Sequence, residues 1–75
     1  GDFQISYNAN ANDEVMITVN DMTGKELGVV YSGPANDGVN TLNINSNRLN
    51  LISGTYALRL TINGIVTTKM ISVIK

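Results

Sequence analysis

Hydrophobic residues recur at every second position along most of this chain. Phe3, Ile5 and Tyr7 alternate with Gln4 and Ser6, and Val15, Ile17 and Val19 alternate with Met16, Thr18 and Asn20. Leu42 and Ile44 alternate with Thr41, Asn43 and Asn45. Tyr56, Leu58, Leu60 and Ile62 alternate with Ala57, Arg59, Thr61 and Asn63. A period of two turns one face of a strand to a core and the other to water, whereas a surface helix would repeat every 3.6 residues. The pattern predicts strands near 3–7, 14–20, 25–31, 39–45, 55–62 and 65–74, and no long helix. Short strands at close spacing, with turns rich in Gly, Asn and Pro, point to an all-β fold. The expectation is a small Ig-like antiparallel β-sandwich of six to seven strands, a single domain over residues 1–75.

Four stretches punctuate the alternation: Asn8–Asp13, Asn20–Gly24, Ser32–Gly38 and Asn45–Gly54. In the last of these, Leu49 and Leu51 are expected to plug the end of the core. Asn63-Gly64 between two apolar runs is a strong short hairpin signal. Two strands break the pattern. In the third, Gly28 interrupts Leu27, Val29 and Tyr31, which suggests a bulge or a close backbone approach. In the last, Val66, Met70 and Ile74 share one face while Ile65, Ile71 and Val73 share the other. Such a strand is covered on both sides, switches register at a bulge, or keeps its second face, Ile65, Ile71 and Val73, for a partner.

At 75 residues the chain buries only about 60% of its unfolded surface, and its core supplies only a few kcal/mol of net stability. No Cys or His is present. Disulfides, thiolate or imidazole metal sites and thiol redox chemistry are thereby excluded. The missing staples suggest a folded unit excised from a longer protein. Five basic and six acidic residues give a net charge of −1, unlike a nucleic-acid binder with its basic stripe. No apolar run is long enough to be a transmembrane segment. The N-terminus lacks the charged and apolar regions of a signal peptide, so if the protein is exported its export signal lies upstream in a parent chain. Eleven Asn residues fall mostly between the apolar runs, where turns need residues that tolerate unusual backbone angles.

Candidate chemistry is sparse. A nucleophilic triad lacks its base, and Ser6, Ser32, Ser46, Ser53 and Ser72 have no local activation motif. Asp13 and Glu14 are adjacent and point to opposite faces of an extended strand. Asn36-Asp37-Gly38 offers one carboxylate, too few oxygens for calcium. The glycines are scattered rather than gathered into a phosphate loop, so no cofactor is expected. Tyr7 and Tyr56 share parity with core residues, and Arg59 and Lys69 sit as strand charges.

The closing stretch carries more. Leu51, Ser53, Gly54, Tyr56, Leu58, Arg59 and Leu60 spell L-x-S-G-x-Y-x-L-R-L; Asn63-Gly64 follows; Lys69, Val73 and Lys75 complete K-x-x-x-V-x-K. This series resembles the type A C-terminal sorting domain of the Bacteroidetes type IX secretion system, the Por secretion tail. Val15–Leu27 is similar to that family's strand–turn–strand segment, with Asn20 between Val19 and Asp21, and Gly38–Ile44 is similar to its G-x-N/H-x-x-x-I strand. The family's usual Pro-Asn-Pro segment before the first strand is not among these residues.

The resemblance implies a non-catalytic C-terminal signal domain that directs cargo across the outer membrane. Its partners would be the outer-membrane secretion machinery, a surface sortase and the N-terminal cargo domain of the parent protein. Its location would be the periplasm in transit, then the outer-membrane surface or the extracellular space. Gly54, Tyr56, Lys69, Val73 and Lys75 are the residues expected to bear on recognition, Gly54 by permitting the turn into its strand and Tyr56 by filling the core. The alternatives are an Ig-like spacer and an accessory carbohydrate-binding module of a cell-surface protein. The latter would display two or more aromatics on one exposed face.

Overall fold

A computed structural model describes residues 2–74 and places six strands: β1 (Asp2–Ala9), β2 (Glu14–Asn20), β3 (Glu26–Pro34), β4 (Gly38–Asn45), β5 (Gly54–Ile62) and β6 (Ile65–Val73). All are antiparallel. One sheet has the order β3-β2-β5-β6; the other is the pair β1-β4. No helix occurs among the described residues. The expected strands all form, with β1 and β3 longer at their ends than the alternation alone indicated. β3 runs on through Pro34 because it is an edge strand, where the missing N–H breaks no ladder.

The core follows the period-two pattern. Val15, Ile17 and Val19 of β2 lie against Tyr56, Leu58 and Leu60 of β5, joined by Ile44, Val73, Ala35 and Leu51. Phe3, Ile5 and Tyr7 of β1 close the second layer, half-buried. Their polar neighbours face water and pair across the strands: Gln4 Nε2 donates to Asn43 Oδ1 at 3.1 Å, and the Ser6 and Thr41 hydroxyls meet at 3.4 Å. Such cross-strand pairs fix the register of a sheet that has only two strands. Leu51 is buried and Leu49 half-buried, plugging the core end as expected.

The irregularity of β3 has a packing cause. Val30 and Leu27 are extra residues at two bulges opposite β2, with Val19 paired to Gly28 between them. A Cβ on Gly28 would stand 2.7 Å from Leu49 Cδ2. Glycine there lets the long connection press its leucine onto the sheet. Polar Thr18 and Asn20, on the outward parity of β2, are nevertheless buried. Thr18 Oγ1 donates to Asn20 Oδ1 at 2.9 Å and Asn20 Nδ2 to the Gly24 carbonyl at 3.3 Å, so their burial leaves those groups partnered.

The asparagines serve turns. Among the described residues, the three non-glycine positions with positive φ are Asn12, Asn50 and Asn63. Asn40 exchanges hydrogen bonds with the Asn36 backbone, and Asn45 Oδ1 accepts from Asn47 N. In the β2–β3 turn, Asp21 accepts from Thr23 N, Thr23 Oγ1 and Lys25 N. The Thr23 hydroxyl does most to hold its carboxyl below the usual range; desolvation opposes this, and the Lys25 and Thr23 amides and the Lys25 charge add to it.

Candidate recognition surface

The closing hairpin turns on Asn63 and Gly64, with φ of 48° and 85°. Positive φ at both central residues is the type I′ geometry that matches strand twist. From it the β5–β6 register runs unbroken, from Ile62 opposite Ile65 to Gly54 opposite Val73. In such a hairpin the pair flanking the turn exchanges hydrogen bonds, and so does every second pair beyond it. Thr67, Lys69, Ile71 and Val73 therefore turn their backbone groups to β5. Val66, Thr68, Met70 and Ser72 turn theirs away from β5, and among the described residues no strand lies beyond β6 to pair with them. These residues also carry the outward side chains, and Val66 and Met70 are exposed. Met16 of β2 stands in the same row as Val66, through Thr61, and is exposed too.

This corrects the expectation for β6. Val73 is buried at 5% exposure and Ile71 packs half-buried against the core. Their face is the core face, and Ile65, on the same parity but beside the turn, is exposed. No register switch occurs in β6. The free apolar side chains of the strand's far face are Val66 and Met70, with exposed Ile74 beyond its end. Alternation could not distinguish these faces, since both carry branched apolar residues.

The sequence-derived residues fall into two groups. Gly54, Tyr56 and Val73 meet at one corner: Gly54 pairs with Val73, and a Cβ on Gly54 would lie 3.9 Å from the Tyr56 ring. Gly54 has no positive φ among the described backbone angles; it opens β5 rather than forming a left-handed turn. Tyr56 is buried and its hydroxyl donates to the Ile52 carbonyl at 2.7 Å. Lys69 lies apart, opposite Leu58, with its side chain exposed. Lys75 lies outside the described residues.

Sequence reasoning missed a tie at the other end of the hairpin. Glu14 N donates to Asn63 Oδ1 at 2.8 Å, Asn63 Nδ2 donates to Asp13 Oδ1 at 2.9 Å, and Asn63 N donates to the Glu14 carbonyl at 2.9 Å. The Asn-Gly signal identified the turn but not its partner in the β1–β2 loop. Among the described residues no group of three acids, Cys or His is placed to hold a metal. The tyrosines form no exposed platform: Tyr56 is buried and Tyr7 and Tyr31 half-buried. The Tyr31 hydroxyl donates to the Pro34 carbonyl. Burial, with Tyr31 close by as a second cause, pushes the Tyr7 phenol above its ordinary pKa.

A β1-β4 pair facing a β3-β2-β5-β6 sheet has the arrangement of strands B-E and C′-C-F-G of an immunoglobulin-type sandwich. Tyr56, near the start of β5 and bonded four residues back, occupies the place of that fold's tyrosine corner. The chain belongs to the family of secretion system C-terminal sorting domains, whose model matches residues 1–75. This is the sorting tail of type IX secretion, which implies export across the outer membrane to the cell surface or extracellular space. No curated protein and no solved structure matches the chain.

Proposed function

We propose that this domain, residues 1–75, is a non-catalytic address carried by a longer secreted protein. It directs the cargo joined ahead of it from the periplasm through the outer membrane, and the β5–β6 hairpin is the part that is read. The observation that carries the proposal is the open edge of β6, with outward backbone groups at Val66, Thr68, Met70 and Ser72 and apolar side chains beside them. An unpaired edge accepts another protein's strand, and the side chains along it supply selectivity.

Residues assigned to recognition then divide by role. Gly54, Tyr56 and Val73 build the corner that holds the hairpin in place. Lys69 and Lys75 supply charge that the outer-membrane machinery reads. A surface sortase removes the domain after transit and leaves the cargo outside.

The test is secretion of a fluorescent reporter with residues 1–75 fused to its C-terminus, behind an inner-membrane export signal, in a Bacteroidetes host. The reporter is expected outside the cell in the wild-type host and in the periplasm of a host lacking the type IX translocon. Lys69→Ala should lower secretion while its melting temperature stays near the wild type's. A folded fusion that stays in the periplasm of the wild-type host would refute the proposal.

A further inference from the structure

Of the eleven asparagines, only Asn63 precedes a glycine. An Asn-Gly step is chemically exposed, because the following backbone nitrogen can attack the side-chain amide without a Cβ in the way. Here nothing beyond the neighbouring residues crowds the step: no atom outside Asn63, Gly64 and Ile65 lies within 4 Å of the position a Cβ on Gly64 would take, and both residues face water. Yet the amide is gripped from the other side. Its Oδ1 accepts from Glu14 N and its Nδ2 donates to Asp13 Oδ1. The second oxygen of Asp13 accepts from Asn10 N at 2.9 Å. The Asp13 main chain is held in turn, its N–H to the Asn10 carbonyl and its carbonyl to Ala35 N.

We propose that Asn63-Gly64 is a self-modification site held shut by Asp13, and that its deamidation releases the closing hairpin from the β1–β2 loop. Gly64 N loses its proton and attacks Asn63 Cγ, forming a C–N bond; the Cγ–Nδ2 bond breaks and ammonia leaves with that proton. Water then opens the cyclic imide to aspartate or isoaspartate. The net reaction consumes one water and releases one ammonia, with no oxidant or enzyme. Ring closure needs Cγ to swing onto Gly64 N, which gives up both side-chain hydrogen bonds.

The product cannot remake the bond to Asp13. A carboxylate at position 63 has no N–H for Asp13 and meets it as a like charge. Isoaspartate also adds a carbon to the main chain of a two-residue turn, whose length sets the register of β5 and β6.

The test is peptide mass spectrometry that separates Asn, Asp and isoAsp at position 63 during incubation in mildly alkaline buffer. The other ten asparagines serve as internal controls. The folded chain is expected to deamidate at Asn63 about 5- to 30-fold more slowly than the same chain in denaturant, the range set by one or two hydrogen bonds. Folded Asp13→Ala, which loses one of the two side-chain bonds and keeps the one from Glu14 N, should deamidate several-fold faster than the folded wild type, and Asp13→Asn, which keeps an accepting oxygen, should stay near the wild type. The modified fraction, separated by charge, should melt at a lower temperature. Equal rates folded and denatured would overturn the latch, as would a folded Asp13→Ala variant no faster than wild type. If Asp13→Ala does not fold, the comparison of folded and denatured wild type decides. A modified fraction as stable as the unmodified one would overturn the release.

Discussion

Replacing Tyr56 by phenylalanine separates the two roles a residue in the closing motif can have. The change removes one hydroxyl and leaves the buried ring. That hydroxyl donates at 2.7 Å to the carbonyl of Ile52, so the variant loses one hydrogen bond. The net contribution of such a bond is about 0.5–1.5 kcal/mol. The middle of that range places the expected loss at about 1 kcal/mol. For a domain of this size that is a fall in Tm of about 4–8 °C. Tyr56→Ala is a different perturbation. Truncating a buried aromatic costs about 3–5 kcal/mol, as much as the whole stability expected of so small a core, and that variant should not fold. Thermal denaturation followed by circular dichroism reads the first number, and the reporter assay run below the variant's Tm reads function. Tyr56→Phe should melt early and still be secreted. An unchanged Tm would refute the hydroxyl as a structural tie, and an unchanged Tm with lost secretion would make it a contact for the machinery instead.

Gly28→Ala should destabilise the domain by no more than about 1 kcal/mol, because the atom that must yield is a terminal methyl of the half-buried Leu49 side chain. Adding Leu49→Ala should recover part of that loss, with a coupling of at least about 0.5 kcal/mol in a double-mutant cycle of denaturant midpoints; strict additivity would count against the close approach. Asp21 has a carboxyl held below its usual range, so its contribution is present above the unfolded pKa and is lost as pH falls through the lower folded value. The Tm gap between wild type and Asp21→Asn should therefore narrow in strong acid, and a gap independent of pH would remove Asp21 as the cause. Val66→Lys with Met70→Lys should change stability by no more than about 0.5 kcal/mol per site, as for exposed positions, yet abolish reporter secretion; undiminished secretion would exclude the β6 edge as the surface that is read.

Strand positions and the identity of most core residues were legible because alternation is a local signal. Phe3, Ile5, Val15, Ile17, Val19, Leu58 and Leu60 all turned inward as their parity required. The turn at Asn63-Gly64 was legible for the same reason, since backbone preference belongs to the dipeptide itself. What local pattern could not carry was partnership. The separation of β1 and β4 into a sheet of their own joins residues far apart in the chain. The faces of β6 were ambiguous because both carry apolar residues, and only the register with β5 set Val73 inside and Met70 outside. Thr18 and Asn20 read as solvent positions, but their bond to each other and the Gly24 carbonyl let them be buried. Asn63 read as a turn former, while its grip on Asp13 spans fifty residues and leaves no trace in composition or period.

The ends of the two sheets have a mechanical meaning. Asp2 pairs with Asn45, and Val73 pairs with Gly54, so β1 begins and β6 finishes at the end of the sandwich bridged by the 45–54 connection. The three-loop tie of Asn12, Asp13, Ala35 and Asn63 lies at the opposite end. A tension between the chain ahead of β1 and the tip of β6 would act on strands in different sheets, entering both at the same end. Such a load peels β6 from β5 one hydrogen-bonded pair at a time, from Val73 toward Gly64, instead of shearing all the pairs at once. The sandwich is thus weaker toward a load applied at the end of β6 than at its hairpin tip, where the tie among three loops holds the strands together.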